Sequence, residues 1–224
     1  MPSVAPEFPT YTTAEKAIDS AIHVVGLAGA SIVLGYLLAR LRPTATSTQL
    51  AALIVYGLGL VGMLSASALY NLAPSSAGRL KAAFRELDHA MIFVMIAGSY
   101  TPFTTSALHP GLGVPLCVAT WALAMIGVGI RLAWRHVYER ISMAFYLGMG
   151  WLVLAILPLL AMDVSRHVLA LLLIGGVIYS LGSLVHAHVR VPFHNAAWHA
   201  MVVVAAALHL MAVADLLLTV GGSS

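Results

Sequence analysis

The sequence predicts an all-α fold of the membrane class: a polytopic bundle of seven transmembrane helices, N-terminus cytoplasmic and C-terminus outside. Three observations carry this. Of the 224 residues 61% are hydrophobic and 8% charged, and the mean hydropathy is +0.95, far from the composition of a soluble globular domain. Seven apolar runs are each long enough to cross a hydrocarbon layer of about 30 Å, which takes about 20 residues. The basic residues gather on one side of those runs. Lys16, Arg79, Lys81, Arg85, Arg131, Arg135, Arg140 and Arg190 fall on the N-terminal side, and Arg40, Arg42 and Arg166 on the other, the bias that sets a cytoplasmic N-terminus.

The first residues, "MPSVAPEFPTYTTAEK", lack the basic and apolar regions of a cleaved signal, so residues 1–16 read as a short cytoplasmic segment. Residues 17–218 form one seven-helix domain, and 219–224 a tail. The first span, 17–39, opens after Thr12 and Glu15, which have the spacing of a capping box. It carries His23, where lipid exposure would be costly, so the imidazole points inward to a hydrogen-bonding partner, and Asp19, four residues before it, is a candidate for that partner. After "RLRPTATSTQ" the second span, 49–72, is rich in small residues (Gly57, Gly59, Gly62, Ser65, Ser67) that permit close helix contact. "APSSAGRLKAAFRE" leads to the third span, 87–107, which opens on Asp88. "HPGLG" separates it from the fourth, 112–134, which holds the single cysteine, Cys117. Spans at 141–162, 167–187 and 195–218 complete the set. No basic stripe interleaved with aromatics suggests a nucleic-acid partner; the charge reports topology, and the partners are membrane lipids.

Polar residues converge at one depth. Asn71 ends the second span, Asp88 begins the third, and Asn195 and His199 begin the seventh. Ser67 and Asn71 are four apart, as are Asn195 and His199, so each pair lies on one helix face, about 40° apart. Each residue also has a plainer reading: Asp88 as a helix cap favoured by the dipole, Trp198–His199 as an interfacial anchor. His109, His136 and His167 read as solvated. His186, His188 and His194, beside Arg190, read as facing water or lipid phosphate, and His209 as turned inward to a hydrogen-bond partner.

The runs "EKAIDSAIH" (15–23), "SALYN" (67–71), "ELDHAMIFVMIAGSYTPF" (86–103) and "NAAWHAMVVVAAALH" (195–209) together resemble the haemolysin III branch of the progestin and adipoQ receptor family, which includes the adiponectin receptors. The resemblance implies seven helices and a zinc ion near the cytoplasmic face. The family pattern is a serine four residues before a histidine on helix two, an aspartate opening helix three, and two histidines four apart on helix seven. Ser67, Asp88 and His199 match. Asn71 and Asn195 stand where two histidines belong, and His194 is turned about 100° away from position 195. Amide oxygen is a poor zinc donor beside imidazole or thiolate, so zinc at 71, 195 and 199 is expected to be weak or absent.

Two functions follow as expectations. One is a membrane protein of lipid homeostasis or sensing, with a lipid or fatty-acid ligand inside the bundle. The alternative is a zinc-dependent, ceramidase-like lipid amide hydrolase, with Asp88 and Ser67 at the reacting centre and the metal acidifying a water. Pore formation finds no amphipathic signature. A retinal protein needs a lysine in the last helix, and the only lysines are Lys16 and Lys81.

Overall fold

The computed structural model describes residues 11–133, 135–187 and 192–221. The described chain forms eight α-helices and one 3₁₀ turn: α1 (Thr13–Leu41), α2 (Ser47–Leu72), the turn Ser75–Ala77, α3 (Arg79–Ser106), α4 (Pro110–Ala133), α5 (Arg135–Trp151), α6 (Val153–Asp163), α7 (Arg166–Ala187) and α8 (His194–Gly221). Both early helices start on threonine caps. The Thr12 hydroxyl accepts from the Glu15 N–H while Glu15 reaches back to the Thr12 backbone, and Thr46 and Gln49 repeat the arrangement on α2. These bonds satisfy N–H groups that a helix start otherwise leaves unpaired.

Six helical stretches are long and apolar enough to span a membrane, α5 and α6 together making one of them (Ile141–Asp163). Their outer surfaces are greasy: Ile32, Leu58, Val25 and Met162 are among the most exposed side chains, the pattern expected where lipid is the solvent. The chain is a multi-pass membrane protein. α3 falls outside the apolar set because it lies inside the bundle. Phe93, Met95, Ala97, Gly98 and Tyr100–Thr104 are buried, so hydroxyls replace aliphatic side chains without facing lipid. Those hydroxyls donate back to carbonyls one turn earlier, Ser99 to Met95 at 2.8 Å, Thr101 to Ala97 at 3.0 Å and Thr105 to Thr101 at 2.7 Å.

Two boundaries differ from the sequence reading. α3 begins at Arg79 rather than 87, so half of the expected loop is its first two turns. It is launched by Gly78, whose φ of +50° suits glycine better than any residue bearing a Cβ. The span at 141–162 is broken at Leu152. Pro158 in α6 supplies no N–H to the turn before it, and the Tyr100 hydroxyl lies 2.9 Å from the Met149 carbonyl and 3.0 Å from that of Gly150, serving oxygens that the break leaves short of donors.

Successive helices pack on one another from α1 to α5 and from α6 to α8, and α1 also packs on α8, which closes the bundle. The tightest turn joins α3 to α4. A Cβ built on Gly113 would lie 1.8 Å from the Thr104 carbonyl oxygen, which is backbone and cannot swing away. Gly113→Ala is therefore expected to cost about 1–3 kcal/mol, read as a lower unfolding temperature in detergent; an unchanged temperature would show that the turn opens freely.

Candidate functional site

One stripe of α1 builds the site. Glu15, Asp19 and His23 stand at intervals of four and so share a helix face, and each meets the beginning of α8. A Glu15 carboxylate oxygen accepts from the Phe193 N–H at 3.0 Å, where Phe193 holds a φ of +59°, unusual for a bulky side chain. One Asp19 oxygen takes the His199 Nδ1–H at 2.6 Å. The other lies 3.6 Å from His23 Nε2 and 3.5 Å from the Asn195 amide nitrogen. The rings of His23 and His199 are 4.5 Å apart, centroid to centroid. Asp19, His23, Asn195 and His199 are all buried. Neither His23 ring nitrogen makes a hydrogen bond, a costly state for a buried polar group.

The residues singled out on α2 and α3 lie against this stripe. Asn195 donates to the Asn71 amide oxygen at 3.2 Å, and Asn71 donates to the Ser67 carbonyl at 2.9 Å. Asp88 sits beside Ser67 and within electrostatic reach of His23. Its capping alternative fails, because α3 starts nine residues earlier, at Arg79, which puts Asp88 in the third turn, facing inward. Ser67, Asn71, Asp88, Asn195 and His199 line one chamber together with Asp19 and His23.

The chamber has a volume of about 1460 Å³. Along α3 it runs from Lys81 to Phe103, about 33 Å at 1.5 Å per residue. At its mouth Lys81 donates to the Ala73 carbonyl and lies over the Tyr70 ring, and buried Arg131 pairs with Glu86 at 2.6 Å. Burial pushes the Tyr11 phenol up to about 12, so it remains a neutral hydroxyl at physiological pH. At the far end the walls are Phe103, Ile156, Leu160, Leu172 and Val202, with His209 bonded to the Leu172 carbonyl at 3.2 Å.

The remaining histidines fall as follows. His109 and His167 are exposed. His194, read from sequence as facing water or lipid phosphate, is instead buried, its ring tilted against that of Tyr11, because the turn at Phe193 folds it toward the start of α1. His186 packs on Trp198. His188, Arg190 and the side chain of His136 lie outside the described residues.

The zinc that the family resemblance implies finds a poor donor set at 71, 195 and 199. The Asn71 oxygen already accepts from Asn195, so the two amides satisfy each other, and only His199 brings an imidazole. What sequence spacing did not reveal is that α1 supplies a second imidazole and a carboxylate at the same depth. Asp19, His23 and His199 bring one ligand atom each within 4.8 Å of one another, a group that could hold a metal ion. The signal was present as an i, i+4, i+8 row of polar residues in an otherwise apolar span, but its partner lies on the last helix.

Comparison with known proteins agrees with this architecture. The family described as "Haemolysin-III related" matches residues 11–210. The chain is 29% identical to the "Hemolysin-3 homolog" of Bacillus subtilis (strain 168) over 194 residues, 86% of this chain and 89% of the relative. It is 29% identical to "Hemolysin-3" of Bacillus cereus over 189 residues, 84% and 85% of the two chains. The "Monocyte to macrophage differentiation factor" of Homo sapiens is 27% identical over 165 residues, 71% of this chain and 67% of the relative. With nearly the whole helical region matched, and the motifs of α1, α2, α3 and α8 meeting in one chamber, the chain belongs to the haemolysin III-related family of multi-pass membrane proteins, a branch of the progestin and adipoQ receptor family.

Proposed function

We propose that this protein is a lipid-responsive membrane protein of the haemolysin III type, acting in membrane-lipid homeostasis or sensing by holding an amphipathic lipid or fatty acid in its chamber. The observation that carries the reading is the chamber's polarity, with Asp19, His23, Asp88 and the two asparagines at one end and aliphatic walls at the other. A ligand with a polar head and an apolar chain matches both ends, since pockets of this kind place a few polar groups over a mostly apolar lining. In this reading residues 17–218 form one seven-span domain, with α3 as the span hidden inside. The N-terminus and the polar end face the cytoplasm, as the eight-to-three division of basic residues supports.

The test is to purify the full chain in detergent and analyse co-purified lipid by mass spectrometry, then to titrate the delipidated protein with a fluorescent fatty acid. Roughly stoichiometric binding is expected. Leu172→Trp, which fills the far end, should weaken it by roughly tenfold or more while the unfolding temperature stays near that of the unaltered chain. No retained lipid and no saturable titration would sink the reading. The hydrolase alternative draws support from one observation, Asp88 and Ser67 side by side in the same chamber. Release of fatty acid from a lipid amide, abolished by Asp88→Asn, would favour it.

A further inference from the structure

The geometry points to a metal site that differs from the family position: we propose that Asp19 and His23 of α1, with His199 of α8, bind one first-row divalent transition-metal ion between the first and last helices. Four observations bear on it. The three side chains are buried and present their ligand atoms within 4.8 Å of one another. Ligands bound at about 2.0–2.1 Å from a common ion stand about 3.3 Å apart in a tetrahedral site, between the 2.6 Å from Asp19 to His199 and the 3.6 Å from Asp19 to His23, so small side-chain shifts that part the first pair and close the second complete the cage. His23 has two buried ring nitrogens without a hydrogen bond, and its Nε2 lies 3.6 Å from the Asp19 carboxylate; a ligand bond to an ion would satisfy one of them. Asp88 lies within electrostatic reach of His23, and two carboxylates beside two neutral imidazoles balance a doubly charged ion.

The donor set determines the class of ion. Two imidazoles and one carboxylate suit zinc, iron(II), cobalt(II) and their neighbours, whereas magnesium and calcium prefer oxygen throughout. With three protein ligands the ion would keep an open position, as in catalytic zinc sites. The asparagines then gain a role: Asn195, 3.5 Å from Asp19 and 3.2 Å from Asn71, anchors the carboxylate from behind in the way that outer hydrogen bonds orient metal ligands. The site is independent of what fills the apolar end of the chamber.

Cobalt(II) is the probe. The full chain in detergent, stripped with chelator and dialysed, should take up one cobalt per chain with visible ligand-field bands, and X-ray absorption of the loaded protein should show two imidazoles. His23→Gln and Asp19→Asn should each weaken uptake by roughly tenfold or more, while His109→Gln, an exposed imidazole, should leave it unchanged. Absent uptake by the unaltered chain, or a spectrum with a single imidazole, overturns the proposal without recourse to any variant. So does uptake that survives His23→Gln but is lost in Asn71→Ala, which would locate the ion at the family position.

Discussion

Asp19→Leu is expected to be the most destabilising single substitution in the polar cluster, by about 3–5 kcal/mol, the range measured when one partner of a buried pair is removed. Asp19 accepts from His199 and approaches both His23 and Asn195, and its removal leaves the His199 N–H without its acceptor and takes the carboxylate away from His23 and Asn195. An unsatisfied buried donor costs about 1–3 kcal/mol. Asp19→Asn should recover roughly half, because an amide oxygen still accepts from His199. The measurement is thermal unfolding in detergent, or the half-life against protease. A Leu variant as stable as the unaltered chain would mean that α1 and α8 are held by apolar packing alone.

The second large effect is a gain. Asn71→His together with Asn195→His should produce tight, roughly stoichiometric zinc, because positions 71, 195 and 199 already converge through the Asn71–Asn195 hydrogen bond and would then offer three imidazoles with Asp88 and Ser67 nearby. This binding should persist when His23→Gln is added, which distinguishes it from any ion held through α1. At a thousandfold excess over the dissociation constant, zinc should stabilise the folded chain by about 4 kcal/mol. Elemental analysis after identical purification decides the matter. If the triple variant carries no zinc, the geometry at 71 and 195 has diverged beyond the two side chains.

Much of this was legible in the sequence for physical reasons. Apolar runs must match a bilayer's thickness, so the spans are visible from hydropathy and length, and Thr12 with Glu15 announces the start of α1. The break at Leu152 was not legible, because both halves are equally apolar and the proline that weakens the junction lies six residues further on. The first turns of α3 were hidden by charges that read as a loop but line the chamber mouth. At the site, helical periodicity pairs Asp19 with His23 and Asn195 with His199, since both are local. It says nothing about the contact between those pairs, which joins residues 176 and 180 positions apart and depends on α1 docking against α8.

That docking bears on biosynthesis. α1 emerges from the ribosome well before α8, so Asp19 and His23 must wait in an unfinished bundle until His199 and Asn195 arrive, and Glu15 cannot grip the turn at Phe193 before then. A chain truncated ahead of α8 would leave the Asp19 carboxylate in α1 without the partners that α8 supplies. The contact that completes the polar chamber thus forms only after α8 has been made.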